Sequence, residues 1–74
     1  MTKGEYRVGI NFNPSNDDMV FQIKRKAADL IDLITLIDGT ENMEVARLKA
    51  LAQTEIESAA MWAVKAATKK PQQD

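Results

Sequence analysis

Cysteine and histidine are both missing from this chain of 74 residues. Their absence excludes a disulfide framework, and it leaves no cluster of His and Cys side chains that could hold zinc. The three glycines are dispersed at positions 4, 9 and 39, so a glycine-rich phosphate loop is excluded as well. We therefore expect a protein that is not an enzyme, with no metal, no cofactor and no catalytic residue.

Carboxylate pairs that could supply acid–base chemistry are also scarce. Glu55 and Glu57 are two residues apart, which places them on different faces of a helix. Asp29 and Asp32 could meet on one face, but such a pair is typically a solvated ridge or the ion-pair partner of a basic residue. Neither pair changes the expectation of a binding protein.

Long apolar runs and a strong net charge are missing too. No stretch approaches the roughly 18 apolar residues that cross a membrane, and the first residues carry no apolar run typical of a secretory signal. A net charge of −1 argues against binding duplex DNA or an acidic membrane surface. We expect a soluble cytosolic protein without membrane or duplex DNA partners.

Helix boundary signals divide the chain into two helices. Residues 15–18, Ser-Asn-Asp-Asp, form a capping-type start, and the first helix should begin after Ser15 or Asn16 and end at Asp38–Gly39. A second helix should start with Thr40 as its cap and run to about Thr68, ahead of Pro71. A turn this short makes the two helices antiparallel.

Residues 1–15 are expected to form a non-helical arm. Tyr6, Val8, Ile10 and Phe12 alternate with other residues, which predicts an extended strip on an apolar surface. The predicted organisation is an arm at 1–15, a helical hairpin domain at 16–70 and a tail at 71–74. The fold class is all-α: an antiparallel two-helix hairpin with an N-terminal arm, assembled into a homo-oligomer.

The oligomer follows from apolar residues on several faces of the first helix. A chain of 74 residues with 45% hydrophobic residues and no disulfide or metal depends on association for stability. The alanine-rich segment 59–67 contains Met61 and Trp62, and we predict that Trp62 contacts another subunit. A heptad-like stripe faces the second helix, and further apolar residues lie beside it: Ile23, Ala27, Leu30, Ile34 and Ile37 form the stripe, and Phe21, Ala28, Ile31, Leu33 and Leu36 lie off it.

Basic residues concentrate at one end of the predicted hairpin. Lys24, Arg25 and Lys26 are consecutive, and the antiparallel arrangement brings Lys65, Lys69 and Lys70 beside them; we call these six residues the basic pole. The simplest interpretation is a solvated face with weak ion pairs. The aromatic residues of the arm, Tyr6 and Phe12, favour nucleotide recognition instead, because aromatic rings stack on bases while Lys and Arg bind phosphates.

Four stretches of the sequence are distinctive when taken together: Phe12–Ser15, Ile23–Lys24, Ala28–Ile34 and Glu57–Ala66. They resemble the short helical hairpin of phage anti-CBASS sponges, a domain shared with anti-Thoeris sponges. The resemblance implies a compact homo-oligomer, typically a hexamer, without enzymatic activity. It implies that cyclic oligonucleotide second messengers bind in pockets between subunits, and that the protein acts in the cytoplasm of an infected bacterial host.

The resemblance also implies roles for individual residues. Lys24 matches the helix lysine that contacts phosphate, and Phe12 is the preferred aromatic for stacking on a base. Tyr6, which with Arg7 resembles the Tyr-Arg pair of the family, is the second choice. Lys65 matches a basic residue of a separate cyclic trinucleotide site, where relatives commonly have Arg. Lys26 is added as a cation next to Lys24.

Two other functions fit the same residues. A structural or scaffolding oligomer could use the basic pole to bind an acidic protein. A weak binder of single-stranded nucleic acid is the third possibility. Shape separates them, because a sponge needs discrete pockets between subunits, whereas a nucleic-acid binder needs a continuous groove.

Overall fold

The computed structural model describes residues 1–72 and consists of three α-helices. They are α1 (Lys3–Val8), α2 (Asp18–Thr35) and α3 (Met43–Thr68). The described residues contain no strand, so the all-α prediction is confirmed, and α2 packs along α3 as the predicted hairpin. Gln73 and Asp74, the end of the predicted tail, lie outside the described residues.

The expectation that the arm has no helix is wrong, because Lys3–Val8 is helical. The Thr2 hydroxyl accepts a hydrogen bond from the Glu5 amide, and the Glu5 carboxylate accepts one from the Thr2 amide, which is a complete capping box. Gly9 ends the helix in the left-handed conformation with φ 66°. The alternation at Tyr6 and Val8 was misleading, because the capping box and the Gly9 cap begin and end a helix over the same residues.

The hairpin turn is longer than expected and spans residues 36–42. The first predicted boundary, Asp38–Gly39, is too late, since α2 ends at Thr35 and the Lys49 ammonium binds the carbonyls of Thr35 and Ile37. Thr40 is not the cap of α3; its amide and hydroxyl instead donate to Asp38.

Side-chain caps start both long helices. Asp17 accepts from the Met19 amide at 2.8 Å, so α2 begins close to the predicted position. Asn42 accepts from the amides of Glu44 and Val45 and begins α3. The predicted end of α3 at Thr68 is confirmed.

The interior of the single chain is small and uses a different stripe of α2 from the predicted one. Leu30 and Ile37, which belong to the predicted stripe, are about half exposed, and Ile31 is fully buried instead. Gln53 is buried as well, where its amide donates to the Ile31 carbonyl at 2.9 Å and to the Thr35 hydroxyl at 2.9 Å. The buried residues are Gly4, Val20, Lys24, Ala28, Ile31, Gln53 and Ala60.

Large apolar side chains remain on the surface of the chain. The Cα trace spans 55 × 26 × 13 Å, which is too thin for helices to cover both sides of α2 and α3, because the axes of packed helices are about 8–10 Å apart. The more exposed apolar residues include Tyr6, Phe12, Met19, Leu33, Leu36, Met43, Met61 and Trp62.

Within residues 1–72, no helix combines the length and the apolar character that crossing a lipid bilayer requires.

Candidate functional site

Helix α1 lies across both long helices and makes direct contact with the backbone of α2. Gly4 sits so close to α2 that a Cβ atom at this position would lie 2.1 Å from the Ala28 carbonyl oxygen. Its amide donates to Asp32 Oδ1 at 2.7 Å. The absence of a side chain at Gly4 therefore lets α1 dock against α2.

Charged side chains of α1 extend the docking to α3. Lys3 donates to the Oε1 atom of Gln53 at 2.7 Å, and Arg7 Nε donates to Glu57 Oε1 at 2.7 Å. A second nitrogen of Arg7 donates to the Thr54 hydroxyl at 3.3 Å. The structure thus places Arg7, one of the predicted ligand residues, in an ion pair that holds α1.

Arg25 of the basic pole is also engaged within the chain. Its guanidinium donates to Glu5 at 2.8 Å and to Asp29 at 2.8 Å, linking α1 to α2. The hydrogen bond from Arg25, together with the one from the Thr2 amide, lowers the pKa of Glu5 to about 2. Asp29 is thereby an ion-pair partner, and the described residues contain no acidic cluster suited to a metal ion.

The Glu5–Arg25 pair predicts an acid-dependent loss of α1 docking. A carboxylate with a lowered pKa in the folded state stabilises the fold fully above its unfolded pKa of about 4.3. That contribution is lost as pH falls through the folded value of about 2. In urea unfolding measured from pH 7 to pH 2, Glu5→Gln should therefore be less stable than the parent at pH 7, with the difference shrinking below about pH 4.3.

Glu55→Gln is the matched control for this prediction, because Glu55 lies exposed on α3. Its stability relative to the parent should vary less with pH than that of Glu5→Gln. If the difference in stability between the parent and Glu5→Gln stayed constant across the whole pH range, the pKa of Glu5 would not differ between the folded and unfolded states.

Lys24 of α2 contacts Phe12, which lies in the segment that connects α1 to α2. The Lys24 ammonium donates to the Gly9 carbonyl at 3.0 Å and to the Phe12 carbonyl. It also lies over the Phe12 ring, 5.4 Å from the ring centroid, as a cation–π contact. Lys24 is only 8% exposed, whereas Phe12 is 72% exposed. The two predicted site residues thus form one unit, with the cation inside and the aromatic ring outside.

Two grooves meet at this unit. Phe12, Lys24 and Val64 line both of them. The first, of about 260 Å³, is completed by Val8, Ala60 and Met61. The second, of about 290 Å³, is completed by Asn13, Pro14, Ser15, Val20 and Thr68.

The other predicted ligand residues lie apart from these grooves. Tyr6 is 77% exposed and Lys26 is exposed, and neither lines either groove. Lys65 lies over the ring of Trp62, with its ammonium 5.5 Å from the ring centroid. The structure therefore groups Phe12 with Lys24, and it forms a second Lys–aromatic pair at Lys65 and Trp62.

Two residues without a predicted role, Asn13 and Gly9, shape the site. Asn13 donates to the Asp17 carbonyl at 2.9 Å and accepts from the Asp17 amide at 3.2 Å, which fixes the chain that enters α2. Gly9 supplies the turn that directs its carbonyl at Lys24. An Asn ahead of a Pro and a capping Asp is a turn signal that could have indicated this role.

Comparison with known proteins identifies the family of the chain. Residues 4–68 match the family model described as Acb2/Tad1, hairpin domain. No curated protein and no solved structure gives a significant match. The matched segment covers α1 from Gly4, the turn with Phe12 and both long helices. The chain therefore belongs to the Acb2/Tad1 hairpin domain family.

Proposed function

We propose that this protein is a non-enzymatic phage sponge that binds and sequesters cyclic oligonucleotide second messengers, and so blocks CBASS-type immunity in the cytoplasm of the infected bacterium. Membership of the Acb2/Tad1 hairpin family implies a sponge-type anti-defence function. The observation that carries the proposal for this chain is the contact between the exposed Phe12 ring and the Lys24 ammonium, two residues that line both grooves.

The chemistry of this unit suits a base and a phosphate. An exposed aromatic ring gives a base a face to stack on, and a nearby cation attracts a phosphate. An ammonium group has three N–H donors, and Lys24 uses two of them on the carbonyls of Gly9 and Phe12. The third N–H supports the proposed contact with a phosphate oxygen.

The ligand pocket is proposed to form between subunits of a homo-oligomer, in the family's typical form a hexamer. Each groove is open and small, so one chain supplies only part of the surface that is needed to enclose a cyclic dinucleotide. Exposed apolar side chains of α2 and α3, among them Leu33 and Trp62, supply an apolar surface for neighbouring subunits.

The remaining predicted residues take secondary roles in this proposal. Tyr6 is the alternative stacking ring, and Lys26 adds positive charge to the basic pole. Arg7 contributes by holding α1 through Glu57. Lys65 is proposed for a separate cyclic trinucleotide site, where lysine lacks the bidentate geometry of arginine.

A thermal-shift screen tests the proposal against the alternatives. Ligands that bind only the folded oligomer raise its melting temperature, so one or more cyclic di- or trinucleotides should raise it, while single-stranded oligonucleotides of equal phosphate number should not. A shift with the single strands alone would favour the nucleic-acid binder. If no nucleotide shifts the melting temperature, the proposal of a sponge is contradicted and the scaffolding function is the remaining alternative.

Two lysine variants should separate the two proposed sites. Lys24→Ala should weaken cyclic dinucleotide binding at least about tenfold, equivalent to roughly 1.4 kcal/mol, because it removes the charge from the site. Lys65→Ala should leave that affinity unchanged and affect only trinucleotides. Calorimetric titration of both variants measures the difference. Unchanged dinucleotide affinity in Lys24→Ala would refute the assignment of Lys24.

A further inference from the structure

The turn between α1 and α2 closes around the Lys24 ammonium. Gly9 adopts φ 66°, and its carbonyl accepts from the Phe12 amide at 2.9 Å as well as from Lys24. The Phe12 carbonyl also accepts from Lys24. A side chain from the second turn of α2 therefore joins the two ends of the segment 9–12.

The burial of the Lys24 ammonium depends on the turn staying packed against α2. Lys24 is 8% exposed, and a buried ammonium is costly unless polar groups satisfy its donors. The carbonyls of Gly9 and Phe12 are the groups that satisfy it in this structure. If the turn moves away, the ammonium loses these partners, so the position of the turn and the burial of Lys24 are coupled.

The Phe12 ring has little else to hold it. It is 72% exposed, so packing against the chain contributes little to its position. Downstream, Asn13 is fixed by its two hydrogen bonds to Asp17. Between Gly9 and Asn13, the Phe12 amide is bonded to the Gly9 carbonyl, and Lys24 adds a hydrogen bond to the Phe12 carbonyl and the cation–π contact with the ring itself.

We infer that Lys24 is a positioning residue for Phe12, which holds the stacking ring in place before any ligand arrives. The inference rests on the proposed function for its effect on affinity, but the ordering of the turn does not depend on any ligand. Preorganisation of this kind improves affinity because the cost of ordering the ring is met during folding rather than during binding. Lys24 would thus act twice, through its charge on a phosphate and through Phe12 on a base.

Hydrogen exchange of the ligand-free protein tests the positioning directly. Lys24→Met keeps an apolar stem but removes the ammonium. Amide exchange in residues 9–13 should rise at least about tenfold, while α2 and α3 keep their protection, as expected for local opening. Unchanged exchange in residues 9–13 would overturn the inference, and so would a loss of protection throughout both helices.

Lys49→Met is the matched control. Lys49 is the other lysine described here whose ammonium binds two backbone carbonyls, those of Thr35 and Ile37. Its replacement should raise exchange in the hairpin turn and leave residues 9–13 unchanged. An equal rise in residues 9–13 for both variants would show that Lys24 has no local role there.

A double-mutant cycle measures the consequence for binding. With a cyclic dinucleotide as the probe, Lys24→Met should weaken affinity in the parent by a factor at least about threefold larger than in a Phe12→Leu background, where only the loss of the charge remains. Additive losses would overturn the coupling of Lys24 to Phe12 while leaving the phosphate contact intact. Absence of binding by the parent would refute the proposed function, and hydrogen exchange would still decide the positioning.

Discussion

Gly4→Ala should detach α1 from the hairpin and destabilise the protein by about 1–3 kcal/mol, as overpacking does. The new Cβ atom would lie 2.1 Å from the Ala28 carbonyl oxygen and 2.8 Å from the Ala28 carbonyl carbon. Both are backbone atoms inside α2, so neither helix can yield without moving as a whole. Separation also breaks the hydrogen bond from Gly4 to Asp32 and the contacts of Lys3 and Arg7 with α3.

Urea unfolding and hydrogen exchange of residues 3–8 measure this effect. The matched control is Gly39→Ala, where the nearest backbone atoms of Ala46 are 3.3 Å from the new Cβ and a shift of a few tenths of an ångström suffices. Alanine favours an isolated helix over glycine by about 1 kcal/mol. A Gly4→Ala variant with equal or greater stability would therefore show that α1 is not docked as described.

Trp62→Ala should loosen the proposed oligomer and cost about 3–5 kcal/mol, the range for removing a large buried aromatic side chain. In the single chain Trp62 is 68% exposed, so little of this loss can come from contacts within one subunit. The loss should instead appear as dissociation. Light scattering should give the parent a mass several times 8.3 kDa at micromolar concentration and the variant a smaller mass.

Met43→Ala is the control for Trp62, since Met43 is 91% exposed at the opposite end of α3. It should retain the mass and stability of the parent. A Trp62→Ala variant that keeps its mass but loses the ligand would make Trp62 a stacking ring, a role that its cation–π contact with Lys65 would also suit.

The helical hairpin could be predicted because its signals are local. Asp17 lies in the capping segment 15–18, and Pro71 follows the end of α3 at Thr68. The predicted end of the first helix is too late because Lys49, far along the chain, binds the carbonyls of Thr35, the last residue of α2, and of Ile37 in the turn. A contact of that kind has no local sequence signal.

The arm was mispredicted for a different physical reason. A helix as short as Lys3–Val8 is unstable in isolation, and its stability here depends on docking through Gly4 and Asp32. The alternation of apolar residues carried no information about that docking. The resemblance predicts Lys24 and Phe12 as separate site residues, with Tyr6 as the second choice for the aromatic. That the Lys24 ammonium is buried against the segment 9–12 follows only from the position of this turn in the folded chain.

A sequestration assay tests the central proposal most directly. A cyclic dinucleotide that gives a thermal shift is mixed with excess protein, the free ligand is measured after filtration, and the sample is then heated to unfold the protein and measured again by chromatography. A sponge should deplete the free ligand and release it intact on unfolding. Free ligand that stays undepleted would contradict binding, and recovery of a linear product would contradict a protein without enzymatic activity.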